Sequence, residues 1–220
     1  MGRQHDVETR SPRQKEFITA AARLFSARGY HAVGINEISA ELGLSGPAIY
    51  NHYSSKQALL IAVLDDVITS HLEGTRDLVL SLADPRETLA AIIDHHLAFV
   101  FDQYENIVTW RTEFRNLPEA DSHRLRYLQR LYTAEWARTV SRLRPELDNE
   151  VVRAMCDAAI ALLQSPTEPC ATDPRRQRPS HTALPRKELG PVLAKMAFDA
   201  LLGAAPATLV ASGPKVAAAG

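Results

Sequence analysis

The stretch GLSGPAIYNHYSSKQALL, Gly43 to Leu60, sets a Gly-Pro pair, two tyrosines, a histidine and a lysine between two apolar helical patterns. Just before it, GINEISAELG puts Ile35, Ile38 and Leu42 on one face of a two-turn helix that Gly43 ends. Ser45 is a suitable N-cap, and Gly46 with Pro47 suits the start of a short third helix, expected to run through Tyr53. The connection from Leu42 to Gly46 has the length of a helix-turn-helix corner. After it, Ser54 or Ser55 caps a long amphipathic helix that carries Leu59, Val63, Val67 and Leu72 forward to Gly74.

Upstream, Ser11, Pro12 and Gln14 form a capping-box start, and Phe17, Ala20, Ala21, Leu24 and Phe25 make one apolar stripe. With Gly29 as a left-handed cap, the first helix is predicted at 12–28. Downstream every clear period is helical. Asp84 and Pro85 open a helix with Leu89, Ile92, Ile93, His96, Phe99 and Val100 on its apolar face. NIVTWRTEFRNL forms a shorter helix broken near Pro118, and a long one brings Leu125, Leu128, Tyr132, Trp136, Val140 and Leu143 into register before Pro145. Two more follow, at about 148–164 and 187–203, separated by a Pro-rich segment. The class is all-α: a three-helix helix-turn-helix domain, then a larger helical domain. The predicted division is a flexible arm at 1–10, a helix-turn-helix domain at 11–56, a larger helical domain at 57–205 with a mobile loop at 166–185, and a frayed tail at 206–220.

The apolar stripe, the Gly43-Leu44-Ser45 corner, Tyr50, the aromatic Tyr53 and Lys56 together resemble the TetR family of transcriptional regulators. The resemblance is close over residues 12–60 and extends to helix count and order beyond them. It implies that Tyr50 and Lys56 hold phosphates and that Ser45, Gly46, Ala48 and Asn51 lie nearest the bases, with Pro47 and His52 in the same surface. The residues agree independently. A recognition helix needs small or polar groups in its first turn to enter the major groove, and Gly46, Pro47 and Ala48 are small. Ile49 falls on the inward stripe with Leu42 and Leu44, which turns Tyr50, Asn51 and His52 outward. Gly34-Ile35 departs from the family, where threonines commonly cap this helix and touch phosphate.

Formal net charge is −1, so nucleic-acid binding has to come from local residues rather than bulk charge. Residues 1–56 hold seven Lys/Arg against five Asp/Glu, a mild excess that calls for two domains acting together. The family resemblance implies a homodimer built from the last two helices, with Met155, Ala159, Leu162, Leu163, Leu189, Leu193 and Met196 as interface candidates. It also implies a small-molecule effector. His96, Phe99, Trp110, Glu113, Phe114, Arg115, Tyr127, Tyr132 and Trp136 are its candidate contacts, the same aromatics being equally readable as plain core. Such a site would take a largely apolar ligand, an acyl-CoA or an aromatic compound, with any anionic end meeting Arg115 or His96.

Adjacent His95 and His96 point about 100° apart on a helix and make no metal-binding face. Cys156 and Cys170, the two cysteines, lack metal or redox spacing. No phosphate loop or nucleophile motif suggests an enzyme, and no cofactor is expected. The polar N-terminus is unlike a signal peptide, and no apolar run reaches the ~20 residues of a membrane span, so a cytoplasmic protein is expected. The expected function is a ligand-responsive repressor released from a palindromic operator. The alternative is a helical partner-binding protein whose helix-turn-helix no longer binds DNA.

Overall fold

Ser11 and Gln14 start the first helix reciprocally: the Ser11 hydroxyl accepts the Gln14 backbone N–H at 3.3 Å, and the Gln14 side chain accepts the Ser11 N–H at 2.9 Å. Two orphan donors of the helix start are satisfied in this way. In the computed structural model, which describes residues 10–167 and 185–203, α1 then runs Pro12–Arg28. Gly29 ends it at φ +81°, its N–H bonded to the Phe25 carbonyl. The order continues with α2 (Ile35–Glu41), a 3-10 helix (Gly46–Asn51), α3 (Lys56–Ser81), α4 (Pro85–Asp102), α5 (Tyr104–Glu113), α6 (Glu119–Leu143), α7 (Asn149–Gln164) and α8 (Arg186–Leu202). No strand occurs among the described residues, and the class is all-α. Residues 1–9 of the expected arm at 1–10, most of the Pro-rich segment and the Ala-rich tail lie outside the described residues.

Packing divides the chain into two compact units, Met1–Ile68 with Glu105–Leu125 and Thr69–Tyr104 with Arg126–Gly220. In the first, Phe17, Phe25, Ile38, Ile49, Leu59 and Leu60 are fully buried, each contributing about 1.5–3 kcal/mol through burial. Its second segment is fastened by side chains. The buried Thr109 hydroxyl donates to the Ala22 carbonyl at 3.1 Å, His31 shares a hydrogen bond with Asn116, and Arg124 pairs with Asp65. Arg10 also reaches Asp65 and Asp66.

In the second unit α4 starts as the sequence predicts, with the Asp84 carboxylate accepting the Arg86 and Glu87 N–H groups and Pro85 following. α7 buries Val152, Cys156, Ala159 and Leu163, a stripe at intervals of four, three and four. α8 buries Leu189, Leu193, Ala197 and Leu201, and packs on both α7 and α4. Gly190 admits this approach, since a Cβ there would lie 3.3 Å from Phe101. Burial pushes the Cys156 thiol up to about 12, so the thiol stays protonated and unreactive.

Two details differ from the sequence reading. The third helix is a 3-10 turn ending at Asn51 rather than a helix through Tyr53, and Ser45 makes no side-chain capping bond. Here the N–H groups of both His52 and Tyr53 bond to the Ile49 carbonyl, and the chain turns so that the Tyr53 hydroxyl reaches the Gln14 carbonyl at 3.1 Å. Nor does Gly74 stop its helix, since α3 passes through it to Ser81. Gly74 is instead a close-approach site: a Cβ there would stand 2.6 Å from the His95 imidazole. Gly74→Val should therefore destabilise the protein by about 1–3 kcal/mol, the usual cost of overpacking. Urea unfolding would measure it, and adding His95→Ala should restore much of the loss; no restoration would mean that His95 is not the obstruction.

Candidate functional site

The corner ahead of the 3-10 helix is built from backbone bonds. Leu42 and Leu44 N–H groups both bond to the Ser39 carbonyl, Gly43 N–H bonds to Ala40, and Gly43 takes φ +69°, which favours glycine. The buried Ser39 hydroxyl crosses to the Gly46 carbonyl at 3.3 Å, joining α2 to the 3-10 helix. Close approach at this joint also explains Gly46, where a Cβ would meet the Asn36 side chain at 2.6 Å. Asn36 is exposed beside the corner, and neither helical period nor motif singled it out. α2 lacks a side-chain N-cap because Gly34 has none, but Glu37 reaches back to accept the Gly34 N–H at 2.9 Å. That bond and Arg28 hold the Glu37 carboxyl below its ordinary value.

Ile49 is wholly buried, and the residues around it face outward: Ser45, Pro47, Tyr50, Asn51 and His52 are exposed, Gly46 and Ala48 half-buried. Tyr50 is 53% exposed, unusual for a large aromatic. His52 leans on Phe17, the ring centroids 5.5 Å apart. Lys56, the first residue of α3, sits differently. Its Nζ donates to the Tyr30 and Val33 carbonyls at 2.9 and 2.8 Å and lies over the Tyr30 ring, which leaves one of its three N–H groups for another acceptor. The arginines nearby are also engaged: Arg13 with Glu16, Arg23 with Glu41, Arg28 with Glu37. Exposed pairs of this kind are worth ~0–1 kcal/mol and can exchange for a phosphate at small cost.

The candidate effector residues do not all come together. Trp110, Glu113, Phe114 and Arg115 belong to the first unit. There Trp110 packs on Phe114 at 5.0 Å, Arg115 is exposed, and the buried Glu113 accepts a bond from Asn116 and, after burial itself, adds to the rise in the Tyr30 pKa. In the second unit Tyr127 is 53% exposed with Arg130 over its ring. His96, Phe99, Tyr132 and Trp136 do converge, around a residue that sequence reasoning missed, His71 of α3. The His71 ring lies 3.5 Å from that of Phe99, 5.1 Å from His96 and 5.2 Å from Tyr132. His96 Nδ1 and the Tyr132 hydroxyl are 2.6 Å apart. The signal for His71 was its place one residue before Leu72 on the buried stripe.

Burial drives these histidines down. His71 lies well below 6.5 through burial and then its neighbours His96 and His95, and His96 is pushed down to about 3 by burial and then His95. Both are neutral, so an anionic ligand end meeting a cationic His96 is not what this arrangement favours. Among the described residues no group of His, Cys, Asp or Glu is placed to hold a metal.

Residues 17–63 match the model described as bacterial regulatory proteins, tetR family. The likeness to the TetR family rests on these residues, the helix-turn-helix segment. The chain is 35% identical over 91 residues to the HTH-type transcriptional activator FasR of Mycolicibacterium smegmatis, covering 41% of this chain and 42% of that one. It is 26% identical over 128 residues to the HTH-type transcriptional repressor KstR2 of Rhodococcus jostii, covering 58% and 62%. The chain thus spans about half the length of the curated relatives it matches. A solved structure of AibR in complex with isovaleryl coenzyme A and operator DNA shares the fold, with TM-score 0.68 at 18% identity over 84% of this chain and 98% of that one.

The candidate dimer residues split by exposure. Ala159, Leu163, Leu189 and Leu193 are buried within the chain itself, Met155 and Leu162 are half-buried, and Met196 is 50% exposed beside Val192 at 47%. An arginine at Ala159 would thus disturb the subunit's own core, whereas one at Met196 would not.

The neutral histidines set a pH dependence. His71 faces His95, His96 and Phe99 from α4 and Tyr132 from α6. The unfolded chain takes protons near 6.5 where the folded one does not, so stability falls as pH drops from about 6.5 towards 3. Between pH ~7 and ~5.5, above most carboxylate titration, the urea midpoint should fall. His71→Phe with His96→Phe should flatten that slope, and an equal slope in this variant would refute the assignment.

Proposed function

We propose that the protein is a homodimeric, ligand-responsive DNA-binding regulator that represses by occupying a palindromic operator and leaves it when a small, largely apolar effector binds. The observation that carries this reading is the exposed surface from Ser45 to His52, held by a wholly buried Ile49 behind it. In it Asn51 reads a base edge, Tyr50 donates to phosphate, and the small residues Gly46, Pro47 and Ala48 let the backbone enter the major groove. Lys56 adds its one remaining N–H at the start of α3, where free backbone N–H groups also favour an anion. With a mild local charge excess, one head binds weakly, and two heads on a two-fold axis make the affinity.

The outer faces of α7 and α8, with Met155, Leu162, Val192 and Met196, supply the pairing surface. The effector acts by population shift, binding better to the spacing that does not fit DNA. An acyl-CoA or a related acyl compound is the effector class supported by the AibR complex with isovaleryl coenzyme A. A second reading, a partner-binding protein that has lost DNA, is favoured only by the arginine ion pairs near the corner.

Selection of genomic fragments with the purified protein, followed by gel shifts at two salt concentrations, separates the readings. Tyr50→Phe should weaken binding on every sequence, whereas Asn51→Ala should also change sequence preference, by ~1–3 kcal/mol at one base position. Unchanged preference in the second variant would remove Asn51 from base reading. Met196→Arg should give folded monomers in sedimentation that no longer hold a palindromic site; surviving dimers would place the interface elsewhere.

A further inference from the structure

Six buried polar atoms of the second unit have no hydrogen-bond partner among the described residues: Glu135 Oε2, which is ion-paired with Arg138 at 3.0 Å, and five that gather around the rings, His71 Nδ1 and Thr75 Oγ1 on α3, His95 Nε2 and His96 Nε2 on α4, and Trp136 Nε1 on α6. Their rings are neighbours, with His71 5.9 Å from His95 and His96 5.8 Å from Trp136. Native interiors leave few such atoms, and a cluster of them marks a place where a further polar group belongs.

The direction of the hydrogen bonds says which group. The Trp136 indole N–H can only donate, and it meets no acceptor among the described residues. A phenol is the better donor and a neutral imidazole nitrogen the better acceptor, so the Tyr132 proton goes to His96 Nδ1, 2.6 Å away. A neutral imidazole that accepts at Nδ1 carries its proton on Nε2. His96 Nε2 and Trp136 Nε1 are thus buried N–H donors in need of an acceptor. Glu135, the buried carboxylate of α6, is held by Arg76 and Arg138 instead. The side chains of the cluster are uncharged, its histidines kept neutral by burial, so an ionised acceptor among them would be buried without a counter-charge.

We propose that this cluster receives the carbonyl oxygen of an uncharged group, an ester-type or ketone carbonyl, in an otherwise apolar ligand, with His96 Nε2 and Trp136 Nε1 donating to it. The inference rests on the effector reading above and narrows it: the recognised feature is a neutral carbonyl rather than a carboxylate. The same chemistry is offered by an acyl ester or thioester and by a fused-ring ketone.

Calorimetric titration of the full-length protein at pH ~8 with methyl octanoate, sodium octanoate and androstenedione tests it, the first and third probes separating the two carbonyl sources. One carbonyl probe should bind at least about tenfold more tightly than octanoate, and Trp136→Phe should weaken it by about tenfold, the scale of one lost hydrogen bond. His96→Gln, which keeps a neutral N–H donor, should retain most of the affinity that His96→Leu loses, guarding against a merely structural effect. Octanoate binding as well as the ester, no binding of either carbonyl probe, or equal affinities for the Gln and Leu variants would each overturn the proposal. Gel shifts without ligand run beside it: operator binding with no carbonyl probe bound defeats this inference alone. Loss of all DNA binding defeats the regulator reading and leaves calorimetry to judge the site.

Discussion

The exposed edge of the first unit depends on the placement of Ile49. Its side chain is wholly buried, and its carbonyl takes the N–H groups of both His52 and Tyr53, so one residue holds the 3-10 helix from inside and closes its end. Tyr53 then locks onto α1 through the Gln14 carbonyl and an edge-on contact with Phe17. Burial of that phenol raises its pKa to about 12, so the donor persists at any physiological pH. Tyr50, Asn51 and His52 are exposed without being loose, because the turn that carries them is fixed on both sides. A surface meant for rigid recognition needs this kind of support beneath it.

Charge in this unit is spent locally. Arg13, Arg23 and Arg28 each rest on a carboxylate, Arg10 bridges Asp65 and Asp66, and Lys56 is clamped to two carbonyls. These cations are individually engaged rather than gathered into an open basic patch. A phosphate would have to displace a carboxylate to use the arginines, an exchange that added salt would oppose.

The second unit solves a different problem. Gly74 lets the imidazole of His95 come against α3, and three histidines, a tyrosine and a tryptophan then crowd into one buried group. Keeping so many polar rings out of water costs stability unless their donors and acceptors are matched. The His96–Tyr132 bond matches one pair, and the remaining N–H groups give the cluster its chemical preference.

Local physics in the sequence determined the helices. Ser11 with Gln14, Asp84 with Pro85, and Gly29 state their caps within four residues of chain, and the inward turn of Ile49 with the outward turn of Tyr50 follows from helical period alone. What stayed illegible rests on partners distant in sequence. Gly74 reads as a stop until His95 is found across from it, Gly46 as a small helix-start residue until Asn36 lies against it, and His71 as one position beside a stripe until α4 and α6 surround it. The grouping of residues 105–125 with the first unit goes with distant partners such as Thr109 and the Ala22 carbonyl, 87 positions apart, and Arg124 and Asp65. Periodicity reports which face of a helix is buried, because that depends only on spacing along the chain. It does not report which residues meet on that face, because tertiary packing alone brings them together.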